Sequence, residues 1–162
     1  IVGLGAVGAS LALALRQAWP AALVIGVDAH EVIETAMGVH AVDVASDDLM
    51  IAGDADLVVL AGGAEANARA MAHLAEAIAG EAVVLALGEV GAAVEQAPLL
   101  PRRLALAAGL PAVELRGRGI QASSADLFLG RHWPVTPVTA GPMDVGRIHD
   151  LVRAVGGDPA AV

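Results

Sequence analysis

The sequence of 162 residues has no cysteine, no tyrosine, one phenylalanine and two tryptophans. The absence of cysteine removes disulfides, thiol nucleophiles and Cys-ligated zinc, and makes a cytoplasmic location the expectation. With aromatic residues at 2% and hydrophobic residues at 57%, the core has to be packed by Ala, Val, Leu and Ile. That hydrophobic content excludes a disordered chain. Charged residues are sparse at 17%, and the net charge of −9 argues against nucleic-acid binding, because phosphates would be repelled. No apolar run is long enough to span a membrane without polar interruption, so no membrane partner is expected. The opening residues lack the basic segment and cleavage site of a signal peptide. They also lack an initiator Met and begin inside an apolar run, so the chain reads as trimmed or as a fragment. Ala160-Ala161-Val162 would start a further strand.

What is present begins at once. Gly3, Gly5 and Gly8 in Ile1-Val2-Gly3-Leu4-Gly5-Ala6-Val7-Gly8 form a G-x-G-x-x-G set between a short strand and a helix. Gly3 allows the tight turn, Gly5 lets backbone approach a pyrophosphate, and Gly8 lets helix and strand pack closely. The helix then offers free N–H groups and the positive end of its dipole to phosphates. Ala9 to Arg16 predicts that helix, with Trp19-Pro20 ending it, and Leu23 to Val27 predicts an apolar strand. Asp28 closes the strand 20 residues after Gly8, where a carboxylate accepts hydrogen bonds from ribose hydroxyls. A 2′-phosphate would meet it as a like charge, which favours NAD over NADP. The expected cofactor-binding set is Gly3, Gly5, Ala6, Val7, Gly8, Asp28 and Ala61. The plainer reading is a glycine-rich turn with a surface Asp at a strand end.

Strand and helix patterns alternate along the rest of the chain. This predicts one α/β domain over residues 1–162, a doubly wound, mostly parallel sheet of the Rossmann-like NAD(P)-binding kind. Helices are expected at His30 to Met37, Ala64 to Ala79 (capped by Gly80), Val90 to Gln96 and Asp144 to Val155, the last ended by Gly156-Gly157. Strands are expected at Leu57 to Ala61, Ala82 to Leu87 and Ala112 to Leu115. Val39 to Val44 and Trp133 to Thr136 read as extended pieces, Ala45 to Asp54 as an acidic connection, and Ala125 to Leu129 as a helical turn.

With these motifs placed, the chain resembles the nucleotide-binding domain of the prephenate/arogenate dehydrogenase family. The matching segments are Ile1 to Leu15, Val24 to Asp28, Ala55 to Ala61, Ala125 to Pro137 (ADLFLGRHWPVTP) and Leu151 to Pro159. The ADLF-containing stretch is the most specific. The resemblance implies an NAD(P)-dependent oxidation of a small anionic substrate, prephenate or arogenate, in tyrosine biosynthesis. It also implies a C-terminal helical domain, not contained in this sequence, through which family members form homodimers.

The same resemblance marks departures. The family's D-x-x-S-x-K-like segment corresponds here to Ala86, Glu89 and Gly91. Its G-x-H-P-M-x-G segment would lie near Val113 to Gly119, which holds no histidine, and Arg116 falls nearest the missing position. An arginine stays protonated and cannot serve as a general base. Glu89 and Arg116 are therefore weak catalytic candidates, each with a structural alternative: a charge favouring a helix N-terminus, and a solvated basic turn that includes Arg118. His30, His40, His73, His132 and His149 show no ligand spacing, so no metal is expected. Ser123, Ser124 and Asp126 lack the G-x-S-x-G context and read as caps of a turn. The alternatives to a dehydrogenase cofactor domain are an inactive NAD-binding module or another reductase on this fold with a small anionic substrate.

Overall fold

The computed structural model describes residues 1–159; the strand expected at Ala160 to Val162 lies outside them. Its elements alternate in chain order. They are α1 (Ala6–Ala18), β1 (Ile25–Val27), α2 (His30–Gly38), β2 (Val44–Ser46), β3 (Leu57–Leu60), α3 (Ala64–Ala77), β4 (Ala82–Leu87), α4 (Val90–Gln96), β5 (Leu104–Gly109), β6 (Val135–Pro137) and α5 (Pro142–Ala154). Val2 pairs in parallel with both Val27 and Leu60. It joins the β1–β2 pair to the β3–β4–β5–β6 run, so the sheet reads β2, β1, Val2, β3, β4, β5, β6. All pairings are parallel except β5 with β6. The chain runs outward from Val2 to β2, then returns to β3 on Val2's other side. The strand order reverses there, the place where such sheets bind ligands.

Period-two alternation divides the core into two layers. Val59, Val83, Leu85 and Ala107 face the α1 and α5 side, where Leu11, Leu15, Ile148 and Leu151 pack. Val58, Leu60, Val84, Ala86 and Leu106 face α3 and α4, meeting Met71, Leu74 and Ala93. Every residue of β4 is buried, as a central parallel strand requires. Phe128 and Trp133, both fully buried, stack with ring centroids 5.1 Å apart and close one end of the first layer.

Several elements depart from the sequence reading. The strand expected at Ala112 to Leu115 is irregular, and the fifth parallel strand is Leu104–Gly109. Leu-Ala-Leu-Ala-Ala-Gly has weak strand propensity; its place between β4 and β6 makes it a strand. The extended piece expected at Val39 to Val44 opens with a turn at Val39-His40, His40 being in the left-handed region at φ 56°, and is irregular from there to Asp43. The chain joins the sheet only at Val44, opposite Ile25, so the expected connection from Ala45 to Asp54 holds the end of β2 and a 3-10 turn at Leu49–Ala52. Helix α3 stops at Ala77, short of Ala79, with extended Ile78 as its C-cap. Gly80 is not left-handed and does not cap it. The Arg103 guanidinium instead donates to the Ala75 and Ile78 carbonyls at 2.8 and 3.0 Å. The last helix begins at Pro142, two residues earlier than expected, where the Asp144 carboxylate accepts the Gly141 N–H at 3.0 Å.

Candidate functional site

The glycine loop sits at the C-terminal edge of the sheet, where the strand order reverses, and its three glycines meet three different surroundings. Gly3 has φ +94°, and a Cβ there would lie 2.6 Å from the Gly62 N and Cα. A Cβ on Gly8 would lie 1.8 Å from the Gly3 carbonyl oxygen and 3.2 Å from the Ala61 Cβ. Both positions are closed by backbone. Gly5 differs, since a Cβ there meets no atom within 4 Å. The open side of the loop is therefore at Gly5, which is also the N-cap of α1 and offers no side-chain cap.

Ala9 N–H is the first to close a helical bond, onto the Gly5 carbonyl at 2.9 Å. The amides of Ala6, Val7 and Gly8 precede it and point out of the helix end. Such an end attracts an anion by about 0.3–1 kcal/mol at an exposed site, more when partly buried. One bond ties this helix to the far part of the chain. The buried Ser10 hydroxyl accepts the Ser124 N–H at 2.8 Å and donates to the Ala6 carbonyl.

Asp28 lies beside the loop. Its Oδ2 accepts the Leu4 N–H at 2.6 Å and its Oδ1 accepts the Ala29 N–H at 2.7 Å. Each carboxylate oxygen accepts two hydrogen bonds, so both retain capacity for hydroxyl donors. The surroundings are acidic: Asp28 N–H donates to the Ser46 carbonyl at 3.4 Å, and exposed Asp47 and Asp48 follow Ser46. Residues 28–50 contain no Lys or Arg. Open space at Gly5, an uncapped helix N-terminus and a carboxylate bonded to the adjacent Leu4 N–H complement a dinucleotide with a free ribose diol.

Ala61 leads into the opposite wall, its N–H donating to the Val2 carbonyl at 2.7 Å. Gly62 and Gly63 continue that wall, with Gly63 at φ +84° opening α3. A residue outside the sequence reading holds it. Asn67, only 5% exposed, accepts the Gly62 N–H at 2.9 Å and donates to the Leu60 and Leu87 carbonyls, each at 3.1 Å. Its one sequence signal is an amide in an Ala-rich helical turn just beyond a Gly-Gly pair.

Gly3, Gly5, Ala6, Val7, Gly8, Asp28 and Ala61 thus share one edge. Glu89 lies on the same edge beyond β4, exposed, at the N-cap of α4 without a capping hydrogen bond. Arg116 and Arg118 do not follow a strand, contrary to expectation. They lie in an exposed loop and make no ion pair among the described residues. With β5 ending at Gly109, the residues directly after that strand are Leu110 and Pro111, and Leu110 is 56% exposed. Ser124 Oγ accepts the Asp126 N–H at 3.3 Å, a turn cap. His132 is exposed.

A cavity of about 550 Å³ opens at the opposite edge of the sheet, among Ile1, Ile25, Asp56, Leu57, Arg147 and Leu151, away from the glycine loop. Among the described residues no three His, Asp or Glu side chains gather as a metal-binding group, and no helix is long and apolar enough to cross a membrane.

Residues 11–159 match the family model described as prephenate dehydrogenase, nucleotide-binding domain. No curated protein matches the sequence. Among solved structures, arogenate dehydrogenase from Synechocystis superimposes with a TM-score of 0.90 at 23% identity, over 99% of this chain and 58% of that one. Prephenate dehydrogenase from Aquifex aeolicus gives 0.91 at 21% identity, over 100% and 60%. The A. aeolicus enzyme in complex with hydroxyphenyl propionate and NAD+ gives 0.89 at 22%, over 99% and 58%. The chain therefore spans less than two thirds of each of these relatives, and at such identities the likeness establishes the Rossmann-like fold.

Proposed function

This chain belongs to the prephenate dehydrogenase nucleotide-binding domain family, and from that premise we propose that it is the NAD-binding domain of a dehydrogenase acting on prephenate or arogenate. The observation that carries the cofactor reading is the open space at Gly5, against the uncapped start of α1 and beside the Asp28 carboxylate. The amides of Ala6, Val7 and Gly8 hold the pyrophosphate, Asp28 accepts the hydroxyls of one ribose, and Ala61 closes the far side. When bound, the nicotinamide supplies the acceptor for a hydride leaving the substrate carbinol. NAD is preferred because Asp28, Asp47 and Asp48 oppose a 2′-phosphate and no cation in residues 28–50 offsets them. The C-terminal helical domain that the family resemblance implies would form the homodimer and complete the substrate site. Calorimetric titration with NAD and NADP tests the cofactor assignment. Micromolar NAD binding with much weaker NADP is expected, and equal or tighter NADP binding would overturn the preference.

A second reading, a binding module without turnover, is favoured by Leu110-Pro111. These residues directly follow β5, where the family's His-Pro pair would fall, and leucine cannot accept a proton. Glu89 and Arg116 do not replace it: Arg116 stays protonated at ordinary pH and cannot accept a proton, and Glu89 stands beyond the neighbouring strand β4, at the N-cap of α4. Prephenate-dependent NADH formation, measured on a polypeptide containing this domain and its C-terminal continuation, separates the two. Turnover sustains the dehydrogenase, and NAD binding without turnover sustains the module.

A further inference from the structure

We propose that Asn67 is a positioning residue for the nicotinamide half of the cofactor, fixing the wall, at the ends of β3 and β4, of the crevice where the strand order reverses. The inference rests on the NAD reading given above. A dinucleotide lies across the point where strand order reverses, one mononucleotide over each half of the sheet. Asp28 marks the half over β1. The other mononucleotide lies over β3 and β4, and there a single buried side chain ties three backbone groups together.

The hydrogen-bond pattern is specific for asparagine. Oδ1 takes the Gly62 N–H, while the two protons of Nδ2 go to Leu60 O at the end of β3 and Leu87 O at the end of β4. Leu60 and Leu87 are not register partners; Leu60 pairs with Ala86. The amide thus adds a side-chain tie at the end of the ladder, from the Leu60 carbonyl of the last register pair to the carbonyl of Leu87, one residue beyond that pair on β4. An aspartate would set a second acceptor against two carbonyls. An alanine would remove all three bonds, taking from the partly buried Gly62 N–H and the buried Leu87 carbonyl the partner that Asn67 supplies.

The tie reaches the glycine loop. The Gly62 backbone that Asn67 holds is the surface against which Gly3 turns, with only 2.6 Å left for a Cβ. Asn67 therefore fixes the wall of the crevice facing the loop without lining the pyrophosphate path at Gly5. Its loss should be felt by a ligand that occupies both halves and hardly by one confined to the Asp28 half.

The test compares NAD with ADP, which carries the adenosine and pyrophosphate but no nicotinamide. Both are titrated calorimetrically into wild type, Asn67→Ser and Asn67→Leu, at a temperature where melting curves show each variant folded. If Asn67→Leu does not fold, the serine variant carries the test, since it retains a small hydrogen-bonding group. The expected result is NAD binding weakened at least fivefold with ADP binding changed less than twofold. Asp28→Asn, in contrast, weakens both. NAD binding unchanged in a folded variant would overturn the inference alone, as would NAD and ADP falling equally. A wild type that binds neither nucleotide would instead remove the cofactor reading, and this inference with it.

Discussion

The Asp28 carboxylate accepts the Leu4 N–H at 2.6 Å, so the residue that follows β1 also clamps the middle of the glycine loop. One side chain thus couples the shape of the phosphate cradle to the recognition of the ribose. The coupling explains why a carboxylate at this spacing does more than mark a strand end. It sets the loop before any ligand arrives.

Asp28→Asn keeps the size of the side chain and one acceptor but removes the charge. NAD affinity should fall about tenfold to a hundredfold, since hydrogen bonds to a charged group are worth about 1.5–3 kcal/mol. NADP should lose less, because the repulsion of its 2′-phosphate is relieved at the same time. Titration of both cofactors into wild type and variant reads the ratio, which should narrow.

Gly3→Ala and Gly8→Ala should damage the fold before they damage binding. Gly3 is held at φ +94° against the Gly62 backbone, and a Gly8 side chain would overlap the Gly3 carbonyl at 1.8 Å. Backbone strain of this kind costs about 1–3 kcal/mol without the clash. Thermal melts should show Gly8→Ala the worse of the two, and a Gly8→Ala chain as stable as wild type would contradict the packing described.

Much of this site was legible in the sequence because glycine spacing and an acidic strand end are local signals. Val2, Gly3, Gly5, Gly8 and Asp28 fall within one strand–helix–strand unit, and sequence distance fixes their arrangement. What was not legible depends on tertiary pairing. Leu104–Gly109 has no strand signature of its own and becomes β5 because β4 and β6 flank it. Without that pairing the strand end falls at Leu115, just before Arg116, whereas in the sheet it falls at Gly109, just before Leu110. Asn67 was invisible for a related reason. Its partners Leu60, Gly62 and Leu87 come from two strand ends that meet only in the sheet. The cap of α3 comes from Arg103, 28 residues beyond Ala75, so local reading assigned it to Gly80.

Arg116→Ala should leave both stability and NAD affinity within about 0.5 kcal/mol of wild type, as exposed substitutions away from caps and networks generally do. Glu89→Gln should do the same because Glu89, though at the N-cap of α4, makes no capping hydrogen bond. Melting curves and titrations check this. A tenfold loss of NAD affinity in Arg116→Ala would place that loop at the cofactor after all.

Trp133→Ala should cost about 3–5 kcal/mol, the usual loss for emptying a buried aromatic site, because Trp133 is fully buried against Phe128. The two tryptophans give a built-in readout. Acrylamide should quench Trp19, which is 36% exposed, and leave Trp133 largely protected. Equal quenching of both would contradict the buried stack.

The most direct test of the cradle is NAD titration into wild type and Gly5→Ala side by side, with melting curves of both. Gly5 has φ −70°, ordinary for alanine, and its Cβ would enter open space. The melting temperature should therefore move little, while NAD affinity should drop at least tenfold as the methyl group fills the pyrophosphate path. A folded Gly5→Ala chain that binds NAD as tightly as wild type would contradict the assignment of that space to the cofactor.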